Sequence, residues 1–191
     1  AINCRKKGSL DAKEEIFLDQ NILAKGKDYF AVGGWSISPN NEWLAYSTDF
    51  VSRRIYTVSF KNLLTGEIVS NAISNTSGNV AWANDNKTVF YTSKNETTLL
   101  SEKIWRHKVG STTKKDELVF HEKDDTFYNG VYRSKSGEFI IIYNSSTLVS
   151  DYHILNANKP DGQFKNFTPR GIEHEYSIDH YDDKFYIITN W

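Results

Sequence analysis

The side chains best suited to chemistry in this 191-residue chain stand in patterns that do not support it. A serine nucleophile needs a strained Gly-x-Ser-x-Gly elbow, where the turn exposes the hydroxyl and backbone N–H groups supply an oxyanion hole. The nearest string, Gly34-Trp35-Ser36-Ile37-Ser38, lacks the second glycine and reads as a strand. His174 and Glu175 begin like a zinc-peptidase helix, but the second ligand position is Ile178. His174 and His180 would share a face of an extended segment if both precede the turn, and a two-ligand site still lacks partners. The pairs Asp124-Asp125 and Asp182-Asp183 fall in predicted loops and read as turn formers. Gly33-Gly34 is isolated, without the helix signature of a phosphate loop. Cys4 stands alone, which rules out an intrachain disulfide, and its alternation with Ile2 reads as a small core residue in a strand. No catalytic residue, metal or cofactor is therefore expected within the chain.

The elements that would position any function are repeated. Residues 36–46, 80–91, 132–142 and 177–188 each carry an apolar run, a cluster of Pro, Asn, Asp, Ser or Gly, and a second run of β-branched and aromatic residues. That is the signature of a hairpin. Aligned on Asn41, Asn86, Gly137 and Asp183, the copies step by 45, 51 and 46 residues. Periods of this length mean stacked arrays, because one unit cannot bury its own apolar face. Two further strand-like segments follow each of the first three copies, at 53–61 and 67–73, 102–109 and 117–122, and 151–157 and 163–168. Four strands per unit is the formula of a β-propeller blade. The expected organisation is all-β, a partial propeller of about four blades' worth of four-stranded antiparallel sheets. Residues 1–24 supply the outer strands of a preceding blade, residues 29–73, 77–122 and 128–169 three blades, and residues 174–191 an inner hairpin.

Composition sets outer bounds. With 39% hydrophobic and 14% aromatic residues and a net charge of −1, the chain has the make-up of an ordinary globular β protein. It gathers no basic stripe for nucleic acid, and Arg5-Lys6-Lys7 reads as a solvated hairpin end. No apolar stretch approaches the ~18 residues needed to span a bilayer, so neither nucleic acid nor membrane is expected as a partner. The five sequons, at Asn75, Asn86, Asn95, Asn144 and Asn166, are what chance provides in a chain rich in Asn, Ser and Thr. The start at Ala1 inside a strand pattern suggests further sequence upstream. A cytoplasmic location is expected, or a periplasmic one if a signal peptide stands there.

The repeats carry neither the Trp-Asp of the WD40 class nor the recurring double glycine of kelch. In order and spacing, residues 3–10, 14–21, 26–30, 36–41, 55–57, 65–67, 81–88, 104–107 and 186–190 resemble the propeller of the prolyl oligopeptidase family of serine peptidases, within it the oligopeptidase B (protease II) branch. The resemblance implies a seven-bladed propeller over a C-terminal α/β-hydrolase domain that cleaves short peptides, after Arg or Lys in that branch. The family's triad, oxyanion donors and acidic specificity pocket lie chiefly in the hydrolase domain. The 191 residues thus read as a noncatalytic piece of the propeller, inactive by itself, whose partners are that hydrolase domain and short peptide substrates. The alternative is a free-standing propeller that binds a protein or a small ligand.

Strand alternation divides the loops between two faces. With strands A to D counted outward, the A–B and C–D turns lie on one face, and the B–C loops and D–A crossings on the other. The second face carries residues 48–52, 93–101, 144–150, 124–128 and 171–176, and recognition usually lives on such loops. It is the expected interdomain face, with Asp49, Lys94, Glu96, Asp124 and Asp125 as its charged candidates. Phe90, beside Tyr91, is similar to the family's propeller aromatic that lines distal substrate subsites; blade core is its other reading. Strand counting permits a closed four-bladed ring sealed between residues 2–8 and 184–190, whereas the resemblance implies an open arc whose bare edges would favour self-association.

Overall fold

The aligned turn residues Asn41, Asn86, Gly137 and Asp183 all adopt left-handed backbone, with φ of 62°, 60°, 77° and 57°. Asn, Asp and Gly enter that region more readily than other residues, which is why these types recur at the tip. In the first three copies the turn is identical: the amide of Ser38, Ala83 or Ser134 donates to the carbonyl five residues on, and its carbonyl accepts from the amide three residues on. The fourth is a two-residue turn with Asp182 also left-handed, at φ 51°.

The computed structural model describes residues 1–171 and 174–190. Ile172, Glu173 and Trp191, which belong to the last expected crossing and to the end of the fourth hairpin, lie outside the described residues. Strands β1 (Ile2–Lys6) and β2 (Glu14–Asp19) pair as a hairpin, and the short helix α1 (Gln20–Ala24) leads to the first blade. That blade holds β3 (Ala31–Ile37), β4 (Trp43–Asp49), β5 (Tyr56–Asn62) and the start of β6 (Ile73–Trp82). The second holds the end of β6 with β7 (Thr88–Lys94), β8 (Ser101–Lys108) and β9 (Glu117–His121). The third is β10 (Tyr128–Arg133), β11 (Phe139–Ser145), β12 (Ser150–Asn156) and β13 (Lys165–Asn166), and the last hairpin is β14 (Tyr176–Tyr181) with β15 (Lys184–Thr189). Every ladder is antiparallel.

Three features depart from expectation. Residues 67–73 were expected as a strand, yet only Ile68 bridges Lys61 there, and the ladder to β5 resumes at Ile73. The expected boundary between residues 73 and 77 is crossed by β6, so the first two blades share one seven-stranded sheet. Gly78, at φ 99°, lets the strand bend from one blade to the next against the Tyr56 ring, where a Cβ would meet Ser47 and Tyr56 at 3.0 Å. Helix α1 was not expected; the Asp19 carboxylate caps it by accepting from the Asn21 amide at 2.9 Å.

The core is divided among the seams between blades. Phe17 and Leu18 meet Leu44 and Tyr46 at the first seam. Ala45, Val58, Phe60 and Ile73 of the first blade meet Trp82, Val89 and Tyr91 of the second. Ala81, Phe90 and Ile104 meet Val131, Ile140 and Ile142 of the third. Ile141 and Tyr152 meet Tyr176 and Ile178 of the last. Neighbouring A–B turns are also stitched together: the Asn40 amide donates to Asn86 Oδ1 at 2.8 Å, Asn84 Nδ2 to the Gly137 carbonyl at 3.1 Å, and the Lys135 amide to Asp179 Oδ1 at 2.9 Å.

The ring stays open. Strand β1 pairs with β2 and β15 with β14, and no ladder joins β1 to β15 among the described residues. The two ends accordingly expose apolar side chains, Ile2 and Ile16 at one and Tyr186, Ile187 and Ile188 at the other.

Gly130 on β10 lies under the ring of Tyr143, its cross-strand partner, and a Cβ there would come within 2.5 Å of that ring. Gly130→Ala is expected to destabilise the chain by about 1–3 kcal/mol through overpacking. Urea denaturation checks this, and an unchanged midpoint would show that the ring is not held against the glycine.

Candidate functional site

Loop length does not by itself single out a face. The C–D connections at residues 109–116 and 157–164 are longer than the B–C loops at 95–100 and 146–149. The C–D side also carries a recess, at Glu117, Gly162 and Phe164, and ion pairs such as Lys108 with Asp161; the face of the B–C loops and D–A crossings carries two adjoining recesses and an ionic clamp between blades.

The first recess, a cavity of about 380 Å³, is lined in part by Tyr91, Lys94, Glu96, Glu102 and Trp105. Its B–C loop is shaped by Asn95, whose Oδ1 accepts from the Thr97 and Thr98 amides at 2.9 and 3.0 Å, an Asx turn. Tyr91 donates its hydroxyl to Asp116 Oδ2 at 2.9 Å, and Asp116 Oδ1 lies 2.7 Å from His107 Nδ1. Burial, and then the Asp116 charge, push the Tyr91 phenol far above its ordinary range, so it stays neutral and serves as a donor.

The second recess, about 220 Å³, is lined by Leu100, Glu102, His121, Glu122, Lys123, Asp124, Asp125 and Phe127. Glu102 borders both recesses, so they adjoin. Asp124 accepts from the Thr126 amide at 3.0 Å and hydroxyl at 2.6 Å, and these bonds hold its carboxyl below the usual range.

Beside this recess Arg170 ties the second blade to the third. Its Nη2 donates to Glu122 Oε2 and its Nε to Asp151 Oδ2, both at 2.5 Å, and its guanidinium lies 3.9 Å from the Phe127 ring centroid. Glu122 Oε1 also accepts from the Lys123 and Asp124 amides at 3.0 Å, which shapes the crossing into the third blade. Asp151 is further met by Asn144 Nδ2 at 2.7 Å and by His153 Nε2 at 3.1 Å. Burial alone would raise the Asp151 carboxyl, but the bonds from His153, Asn144 and Arg170 outweigh it and the pKa falls.

Five of the seven residues expected from sequence thus gather here: Tyr91, Lys94 and Glu96 at one recess, Asp124 and Asp125 at the other. Phe90 and Asp49 do not. Phe90 is fully buried between the second and third blades, edge-on to Phe164, so blade packing replaces substrate lining as its role in this structure. Asp49 is buried and accepts from the Val51 and Arg54 amides at 2.8 Å, so it organises its loop from within rather than presenting charge. Glu102, Glu122, Asp151 and Arg170 went unnoticed in the sequence. The available signal was Asp151 itself, a carboxylate in phase with the buried Leu155 of the same strand, which calls for a cation without saying which. His174 and His180 flank opposite ends of β14, and His180 Nδ1 is bonded to Ser136 Oγ at 2.8 Å on the tight-turn face. Cys4 pairs with Ile16 in the first hairpin, and desolvation followed by Glu14 pushes its thiol up, away from a nucleophilic thiolate.

Comparison with known proteins shows the family of the fold. Residues 1–191 match the family described as prolyl oligopeptidase, N-terminal beta-propeller domain. The chain is 41% identical over 179 residues to dipeptidyl aminopeptidase BI of Pseudoxanthomonas mexicana, an alignment covering 94% of this chain and 25% of that protein. It is 35% identical over 182 residues to protease 2 of Moraxella lacunata, covering 94% of this chain and 26% of the relative. Among solved structures, oligopeptidase B from Leishmania major superposes with a TM-score of 0.89 at 26% identity, over 99% of this chain and 27% of that one. The chain therefore spans about a quarter of the length of these relatives.

The Asp151 carboxyl is depressed in the folded state, so its stabilisation is complete above the unfolded value of about 3.9 and is lost as the pH falls through the folded value. Asp151→Asn is expected to cost about 1.5–3 kcal/mol at pH 7, the worth of charged hydrogen bonds, while Arg170 keeps Glu122. It should also flatten the decline in stability below about pH 4. Denaturant titrations of both proteins across pH 2.5–7 check this; parallel pH profiles would contradict it.

Proposed function

The chain belongs to the prolyl oligopeptidase family, within its N-terminal β-propeller domain, and from that premise we propose that it is the noncatalytic part of an oligopeptidase B-like serine peptidase. In this reading it admits and positions short peptides for a C-terminal α/β-hydrolase domain, which cleaves after Arg or Lys. The hydrolase domain docks on the face of the B–C loops and D–A crossings.

The observation that carries the proposal is the acidic recess on that face. Glu102, Glu122, Asp124 and Asp125 line it with Lys123; Lys103 pairs with Glu102 and Arg170 with Glu122, which leaves Asp124 and Asp125 as its carboxylates outside an ion pair among the described residues. A concave surface with an excess of one sign concentrates ligands of the other, so the recess favours peptides that carry basic side chains or a free amino terminus. The adjoining recess at Tyr91 and Trp105 adds aromatic surface and a neutral phenol. Polar, modest interdomain contacts of this kind permit opening and closing around a substrate. Chemistry comes from elsewhere, since these 191 residues hold no nucleophile elbow.

Fluorogenic Arg and Lys dipeptide substrates test both halves of the proposal. The 191-residue chain should give no turnover above buffer; turnover that a serine-reactive phosphonate blocks would overturn the noncatalytic assignment. In the full-length protein, Glu102→Lys with Asp125→Lys should lower kcat/KM for basic peptides of several residues by about tenfold through lost steering. Peptides with a single cleavable Arg and zero net charge should be processed unchanged. Equal loss for both would show that the recess does not read charge.

A further inference from the structure

Inside the Arg170 clamp, the seam between the second and third blades contains a layer of polar side chains that the protein itself leaves unsatisfied. Alternation along the strands places it. Phe90 on β7, Val131 on β10 and Ile142 on β11 belong to the apolar cluster that fills this seam. Thr92, Asn129 and Asn144 each lie two residues further toward the loop face and share those orientations, so they form the next layer. Asn129 and Asn144 are direct cross-strand partners, and Asn144 is in turn paired with Asp151. All three are buried, at 1%, 3% and 0% exposure.

Their hydrogen-bonding groups are not met. Thr92 Oγ1, both Oδ1 and Nδ2 of Asn129, and Asn144 Oδ1 lack partners among the described residues. Asn144 is oriented by donating Nδ2 to Asp151, which fixes its Oδ1 as the group left over. For Asn129 the orientation does not matter, because both ends are unpaired. Native interiors hold only a few such groups per hundred residues, and four of the six among the described residues fall in this one layer.

The chemistry of the unmet set selects its ligand. It combines donors, the Asn129 amide and the Thr92 hydroxyl, with acceptors, the carbonyl oxygens of Asn129 and Asn144. A cation would serve the oxygens but face the amide N–H groups. An anion would face two carbonyls beside the Asp151 carboxylate, and an apolar ligand would serve nothing. Water donates and accepts at once. We propose that this layer is a buried water site, in which ordered water bridges Thr92, Asn129 and Asn144 beneath the Arg170 clamp. Because a buried water makes about three hydrogen bonds, the four atoms call for about two molecules. Water, rather than direct side-chain contact, then closes the polar part of the seam.

The test is a crystal structure of the full-length protein at a resolution that shows ordered solvent, paired with thermal unfolding of Asn129→Leu, which is close in size. The expected map has solvent peaks at hydrogen-bond distance, about 2.7–3.2 Å, from Asn129 and from at least one of Thr92 and Asn144. Direct bonds among the three side chains without a peak, or a peak with the short, many-oxygen coordination of a cation, would overturn the proposal. Removing the bridge should lower the melting temperature of Asn129→Leu by about 2–4 °C. In a dry seam the same substitution deletes an unpaired amide, and a raised melting temperature would likewise overturn the proposal. If the variant does not fold, the wild-type map decides alone.

Discussion

Everything in this fold depends on sheets that are apolar on both faces. Along β11, Ile140 and Ile142 point to the second blade while Ile141 points to the last hairpin, and all three are fully buried. Along β7, Val89 and Tyr91 serve one seam and Phe90 the next. A sheet of this kind has no solvent face to fall back on, and each buried Ile or Phe is worth about 1.5–3 kcal/mol that only a neighbour can supply. Stability therefore resides between blades rather than within them. The polar groups of the loop face follow the same division. The Arg170 clamp joins Glu122 of one blade to Asp151 of the next, and so sits across a seam.

The repeat was legible because its tips obey a local rule. Asn41, Asn86, Gly137 and Asp183 need left-handed backbone, few residue types enter it readily, and the four were found by type and spacing alone. What stayed hidden depends on partners far away in sequence. Whether Asn71 to Gly78 forms a loop or continues a strand turns on how it meets Tyr56 and Val58, and nothing local announces that β6 serves two blades. The helix α1 is one turn long and packs few groups, so its only sequence signal was the capping Asp19.

The site shows the same contrast. Charged residues at the ends of strands and on loops, such as Lys94, Glu96, Asp124 and Asp125, border the two recesses on the side where the strand count puts them. Asp49 obeyed the same count but turned inward, because a short loop with Ser52 and Arg54 in left-handed conformations needs an internal acceptor for its amides. Phe90 shows the limit of likeness at a single position: an aromatic at the end of a blade strand suits a ligand or a seam equally, and the neighbouring blade decides. The clamp could not be found from sequence because Arg170 stands 19 residues from Asp151 and 48 from Glu122.

The unbroken β6 also makes the arc mechanically uneven. The first and second blades share the strand β6, while the other seams are joined by side chains, by loops that cross over and by isolated backbone bonds, such as the Asn84 amide to the Ala157 carbonyl at 2.9 Å and the Ser136 amide to the His180 carbonyl at 2.8 Å. A shared strand resists both shear and twist, because moving one blade against the other bends that strand and breaks its main-chain hydrogen bonds to both neighbours. A side-chain joint can slide by exchanging rotamers. Strain applied along the rim would therefore pass through the first two blades as through a single plate and fall on the seams at either side of them, and the Arg170 clamp spans one of these. The charged recess stands beside that clamped seam, just past the shared strand.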